Sequence, residues 1–257
     1  MMNNVVKKKL KNGEKAVGAF IGIYSPEIVE MLGYSGFDFL VIDDEHGAFS
    51  PRDLENMIRA AERVDLVPIV RVSYDPSCIQ KALDRGAKGI QVPMVNTRED
   101  AELVVKRAKF PPIGQRGAAF ITRPSRYGKD QGKAYLDAAD DNILVIVHIE
   151  TPEAVANFDE IISVPGIDMA FIGPTDLSIS MGYKEEGAQH PEVQKVIAQL
   201  RERALQKNIP LGTIAASPYG VRQELQKGTS FVAVVLTSVF MTAFSEVVDA
   251  GQGAHQA

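Results

Sequence analysis

The sequence holds a single cysteine, Cys78, and no tryptophan. One cysteine excludes an intramolecular disulfide, so the fold is expected to stand on its core alone and to suit a reducing compartment. Neither sign of charge dominates: 28 Lys and Arg face 33 Asp and Glu, for a net charge of −5. No basic stripe is present, which speaks against a nucleic-acid partner. No apolar run approaches the roughly 20 residues of a membrane span. Lys7, Lys8, Lys9 and Lys11 in the N-terminal arm are followed by no apolar stretch of signal-peptide length. The reading is a cytoplasmic protein with no membrane partner. The sequence also lacks a Walker loop, a dinucleotide-binding glycine fingerprint and a close-set His/Cys group of the zinc type.

What is present is alternation. At 257 residues, 45% of them hydrophobic, the chain can bury a large core and fits a single barrel-sized domain over residues 1–257. Within it, 1–15 reads as an arm and 251–257 as a loose tail. Eight short apolar runs recur: Ala16–Ile23, Phe37–Ile42, Val67–Val72, Gly89–Val95, Ile143–Ile149, Asp168–Ile172, Pro210–Ala215 and Phe231–Leu236. They are nearly continuous in hydrophobicity, as parallel strands covered on both faces should be.

Helix patterns lie between them, with start signals of Ser, Thr, Asp or His followed by proline, and glycine near several stops. They run over Arg52–Val64, Ser77–Arg85 (opened by Asp75-Pro76), Arg98–Lys109, Glu153–Val164 and Glu192–Lys207, with a further one opened by Ser217-Pro218. Eight strand–helix units predict an α/β fold, a (β/α)8 TIM barrel. The one long interruption, Phe110–Asp141, reads as an ordered functional loop, in which Arg123 and Arg126 either bind a distal carboxylate or serve as surface or interface residues.

In such a barrel the chemistry sits at the C-terminal ends of the strands. Strand two ends in Asp43-Asp44-Glu45-His46, strand three in Arg71, strand five in His148-Ile149-Glu150, and strand six runs into Gly173-Pro174-Thr175-Asp176. Any one of these carboxylates can be a helix cap, and His46 alone can be a structural histidine. Arg71 is harder to dismiss, because it interrupts one face of a buried strand and a buried guanidinium needs a carboxylate or an anionic ligand. With Asp43, Glu45 and Arg71 nearby, His46 reads better as a base. Glu150 and Asp176 end neighbouring strands and repel each other unless a cation lies between them, and two oxygen ligands with open positions suit Mg2+ or Mn2+. Every lysine falls in a helix, a loop or the arm, which disfavours Schiff-base chemistry.

Val41-Ile-Asp-Asp-Glu-His-Gly47, Pro68-Ile-Val-Arg-Val72, Val92-Pro-Met-Val95, Phe110-Pro-Pro-Ile-Gly-Gln-Arg-Gly117, His148-Ile-Glu150 and Phe171-Ile-Gly-Pro-Thr-Asp-Leu-Ser178 together resemble the HpcH/HpaI aldolase family. The six blocks run in order from about Gly18 to Phe244. The resemblance implies a barrel of the pyruvate/phosphoenolpyruvate type. It also implies a class II aldolase, cleaving a 4-hydroxy-2-oxo acid reversibly to pyruvate and an aldehyde through a metal-stabilised enolate. By the same resemblance Glu150 and Asp176 hold a divalent cation (Mg2+ or Mn2+, with Co2+ a further option), and Arg71 steadies the pyruvate oxygen. His46 is the catalytic histidine, supported by Asp84 of a neighbouring subunit in a homo-oligomer, a hexamer or trimer of dimers. The backbone of Gly173, Pro174, Thr175 and Asp176 binds the pyruvate carboxylate. Asp43 and Glu45 then orient His46 or the metal's waters, and His148, which by strand alternation shares a face with Glu150, tunes the metal or the substrate.

Two departures stand out. His148 occupies a position that is often Gln, and strand eight ends Val235-Leu236-Thr237 where many members carry Gly-x-Asp. Two other readings stay open: an oxaloacetate decarboxylase or related enolate-forming lyase, and a barrel that binds a metabolite without catalysis.

Overall fold

The computed structural model describes residues 3–73, 75 and 77–254. Eight parallel strands close into a barrel in chain order: β1 (Ala16–Ile21), β2 (Phe39–Asp43), β3 (Val67–Arg71), β4 (Gly89–Val92), β5 (Leu144–Ile149), β6 (Met169–Ile172), β7 (Leu211–Ala215) and β8 (Phe231–Val235). The expected (β/α)8 barrel is the one observed. Around and between the strands run α1 (Val5–Lys11), α2 (Pro26–Tyr34), α3 (Pro51–Arg63), α4 (Cys78–Arg85), α5 (Arg98–Ala108) and α6 (Gly132–Asn142). The second half adds α7 (Pro152–Ala156), α8 (Phe158–Ile162), α9 (Pro174–Ser180), α10 (Pro191–Gln206), α11 (Pro218–Gln226) and α12 (Leu236–Ala254). Among the described residues, no helix is long and apolar enough to cross a membrane.

Local chemistry explains the helix starts. Ser50 and Thr97 close capping boxes with Asp53 and Asp100, and proline occupies the first turn of α3, α7, α10 and α11. The core divides into two clusters. One fills the space between barrel and helices, and the other fills the barrel itself. Inside, Phe39 stacks on Phe231 with centroids 3.7 Å apart. A Cβ at Gly18 would stand 2.2 Å from the Phe39 ring, so only glycine lets that ring lie across β1. Helix α1 buries Val6 and Leu10 in the same inner cluster as the strand-start residues Ala16, Phe39, Val67 and Leu144. It therefore plugs the N-terminal end of the barrel and leaves the C-terminal rim as the open one.

Several expectations are corrected. The helix expected over 153–164 is two, α7 and α8, which meet at Asn157, whose side chain donates to the Asn96 carbonyl at 2.9 Å. The long segment 110–141 ends in α6, and its front half is tied to outer helices: Arg123 pairs with Glu62 and donates to the Arg85 carbonyl. Residues 251–254 continue α12 instead of forming a loose tail. Residues 255–257 of that tail, residues 1–2 of the arm, and Pro76 at the expected opening of α4 lie outside the described residues.

Lys109, just after α5, is buried and its ammonium donates to the Asp140 carbonyl. Desolvation, with the charge of Lys7, lowers its pKa from 10.5 to about 8, against the pull of Asp168, Asp140 and Asp141. Between those values the unfolded chain keeps a proton that the folded chain has released, so the stability contributed by this residue rises with pH through that window. Wild type is expected to gain on the order of 1–3 kcal/mol over Lys109→Met between neutral pH and pH 10 in urea titrations. A constant difference would contradict the burial argument.

Candidate active site

Alternation along parallel strands decides which side chains enter the barrel. Asp43, Arg71 and Gln91 are register partners across β2, β3 and β4, so the three lie side by side at one level. Arg71 donates from Nε and Nη2 to the two carboxylate oxygens of Asp43, each at 2.8 Å, and its Nη1 lies 3.1 Å from Glu45 Oε2. The guanidinium also sits 4.8 Å from the ring centre of Phe20. Burial disfavours its charge, but the Asp43 hydrogen bonds and the charges of Asp43, Glu45 and Glu150 outweigh that and hold its pKa above the ordinary value. Asp43 Oδ1 also accepts from the amides of Glu45 and His46, at 3.2 and 3.3 Å, so the same carboxylate shapes the turn that carries His46.

Glu150 follows β5 and is nearly fully buried. Its Oε1 accepts from the Met94 amide at 2.7 Å, and its Oε2 lies 3.1 Å from His148 Nδ1. His148 Nε2 lies 3.1 Å from Gln91 Oε1, and its ring stacks on Phe171. Burial pushes the Glu150 carboxyl up, yet the His148 hydrogen bond and charge, the Met94 amide and Arg71 together hold it below its usual range. Met94 has φ 54, a left-handed conformation uncommon outside glycine, and that backbone turn aims its amide at Glu150.

Asp176 stands in the first turn of α9. A Cβ at Gly173 would be 2.8 Å from Glu150 Oε2 and 3.8 Å from Asp176 Oδ2, so the two carboxylates converge on space that only glycine leaves free. Among the described residues no group of three or more His, Cys, Asp or Glu side chains is placed to hold a metal. The donor set here is two hard oxygens, one from an acid held ionised, and it fits a divalent cation with positions left for water or substrate. The first intrahelical bond of α9 runs from the Leu177 amide to the Gly173 carbonyl, and the Thr175 and Asp176 amides have no hydrogen-bond partner among the described residues.

These groups line a cavity of about 330 Å3 at the open rim, with Asp43, His46, Arg71, His148, Glu150, Gly173, Pro174, Thr175 and Asp176 on its walls. His46 is at its edge, its side chain 66% exposed and its Nε2 3.9 Å from Glu45. Asp84 is not among the lining residues. It lies at the end of α4 and is bound by Arg116 at 2.6 Å. Arg123 and Arg126 are likewise absent from the cavity and paired with Glu62 and Asp130. Gln91 and Met94 were not singled out from the sequence. Gln91 could have been, since it is a polar residue breaking an apolar strand as Arg71 does, whereas the turn at Met94 leaves no such mark.

The fold and this cavity define a β/α-barrel enzyme. Residues 16–242 match the HpcH/HpaI aldolase/citrate lyase family, and the chain belongs to it. A 2-dehydro-3,6-dideoxy-6-sulfogluconate aldolase of Pseudomonas putida is 38% identical over 233 residues, 90% of each chain. A 2-keto-3-deoxy-L-rhamnonate aldolase of Klebsiella pneumoniae is 36% identical over 244 residues, 94% of this chain and 90% of its own. The crystal structure of a family protein from Burkholderia cenocepacia superposes with a TM-score of 0.91 at 29% identity, covering 97% of this chain and 100% of that one. The chain is a carbon–carbon lyase.

The Gly173 geometry yields a direct test. Gly173→Ala is expected to weaken Mn2+ binding, read by electron paramagnetic resonance of the free ion, by about tenfold or more, because the new methyl displaces Glu150. Unchanged affinity in a folded variant would remove Glu150 and Asp176 from the metal site.

Proposed function

We propose that this protein is a divalent-metal-dependent class II aldolase that cleaves a 4-hydroxy-2-oxo acid reversibly to pyruvate and an aldehyde. The observation that carries the reading is the convergence of Glu150 and Asp176 on the Gly173 space, inside the cavity that Arg71 also lines. When bound there, Mg2+, Mn2+ or Co2+ supplies Lewis-acid polarisation of the 2-oxo group. The Thr175 and Asp176 amides hold the substrate carboxylate. Arg71 has five N–H donors and gives two to Asp43, with Nη1 paired by charge to Glu45, so donors remain for the oxygen on which negative charge develops. His46 takes the proton of the C4 hydroxyl as the C3–C4 bond breaks. The bonding electrons pass into the 2-oxo group to give the enolate of pyruvate, and a proton returned to its methylene carbon completes the product. In the synthetic direction the same groups act in reverse.

Asp43 holds Arg71 and the His46 turn, Glu45 adds charge beside Arg71, and His148 orients Glu150. Asp84 supports His46 from a neighbouring subunit in a homo-oligomer, a hexamer or trimer of dimers. Two features support that assembly. Asp84 stands off its own cavity, and α12 exposes Met241, Phe244, Val247 and Val248, an apolar set suited to burial against another copy. A cytoplasmic setting accords with the lone Cys78.

The test follows the methyl signal of pyruvate in D2O by proton NMR. With Mg2+ or Mn2+ the signal is expected to decay as deuterium enters. EDTA is expected to stop the decay, and Glu150→Gln to slow it by about 100-fold or more. No exchange above buffer with any of these ions would overturn the proposal.

A further inference from the structure

A second cavity, of about 510 Å3, lies at the other end of the barrel and is larger than the one at the rim. Leu10 and Lys11 of α1 line it, with residues at or just before the starts of β5 to β8 and in the second half of α10. Neither α4 nor α12, the two elements assigned above to contact with other copies, contributes to its walls. Helix α4, which carries Asp84, runs between β3 and β4, across the closed barrel from β7 and β8.

The walls have two characters. Leu10, Leu144, Ile167 and Leu211 form an apolar floor, and Lys7, Lys11, Arg201 and Lys227 stand around it with Asp168. Lys7 bonds Asp168 at 2.9 Å and the Ile143 carbonyl at 2.7 Å, while Arg201 and Lys227 share Glu224. Lys11 is exposed and has no ion pair among the described residues. Arg201 gives Nη2 to Glu224 at 2.8 Å, but its Nε is shut off from water without a hydrogen-bond partner. An N–H buried without an acceptor is costly, and an ionised acceptor placed there forms a strong charge-assisted bond. A bare anion would meet that N–H and leave the apolar floor wet. A neutral apolar molecule would cover the floor and leave Nε unmet.

We infer that this end of the barrel is a binding site for a small organic acid. Its carboxylate meets Arg201 Nε and Lys11, and its apolar body covers Leu10, Leu144, Ile167 and Leu211. Because Lys11 belongs to α1 and Arg201 to α10, the bound acid ties the plugging helix to the barrel wall. The site is separate from the rim cavity and does not depend on the reaction assigned there.

Binding of 4-phenylbutyrate to the whole protein is measured by isothermal titration calorimetry, with Mn2+ and pyruvate present to fill the rim cavity. Inorganic phosphate serves as the charge without the body, and 4-phenylbutan-1-ol as the body without the charge. 4-Phenylbutyrate is expected to bind about tenfold or more tightly than either. Lys11→Glu, a change at an exposed position, is expected to weaken it by about tenfold. Arg201→Lys keeps a cation beside Glu224 but removes Nε, and is expected to weaken it by about fivefold. Phosphate binding as tightly would overturn the apolar half of the inference, and the alcohol binding as tightly would overturn the anionic half. An affinity unmoved by one variant would remove that residue from the site. No binding by the wild type, or an affinity unmoved by both variants, would overturn the site itself.

Discussion

A guanidinium buried inside a barrel has to be neutralised where it stands, and the site is organised around how Arg71 meets that demand. The register of β2 against β3 sets Asp43 beside it, and the turn after β2 brings Glu45 to its other edge. Losing Asp43 would leave the buried charge facing Glu45 alone, which costs more than the Asp43 pair is stabilising. The same carboxylate receives the amides of Glu45 and His46, so charge compensation and placement of the histidine are one event. Arg71 also helps keep Glu150 ionised across the barrel. The cluster thus ties β2 to β3 directly and, through charge, reaches Glu150 after β5.

On the far side, both oxygens of Glu150 are held. The strained Met94 amide fixes one oxygen, His148 fixes the other, and Gln91 fixes His148. A longer, more mobile acid in a nearly dry setting would otherwise sample several rotamers. With each oxygen assigned a partner, the carboxylate stays directed at the space beside Gly173. His148 is well suited to this, because a rigid ring with a nitrogen at each end spans from Glu150 to Gln91 while stacking on Phe171. The opposite wall of the cavity, from Phe20, Ile214 and Val235, is apolar.

Much of this was legible in the residue pattern. The eight apolar runs mark the eight strands because a parallel strand buried on both faces cannot hide its hydrophobicity. Arg71 shows itself by interrupting such a run, and Glu150 and Asp176 by their place at strand ends. What stayed hidden depends on long-range contact. The segment 110–141 reads as an ordered functional loop, and which of the two roles open to Arg123 and Arg126 applies shows only in their contacts with Glu62 and Asp130. The break at Asn157 arises from its bond to Asn96, some 60 residues away in sequence. Helix α1 carries four lysines within or beside two apolar positions, and only the shape of the barrel mouth explains why Val6 and Leu10 are buried there.

As proposed above, Glu150 and Asp176 share one divalent cation beside Gly173, within reach of the oxygen that Arg71 faces. Crystals grown with MnCl2 and pyruvate, measured for anomalous scattering from manganese, test it most directly. The expected result is one strong anomalous peak bounded by Glu150 and Asp176, with pyruvate bound beside it and facing Arg71. A manganese peak elsewhere, or pyruvate bound away from Arg71 with no peak between the two acids, would contradict it.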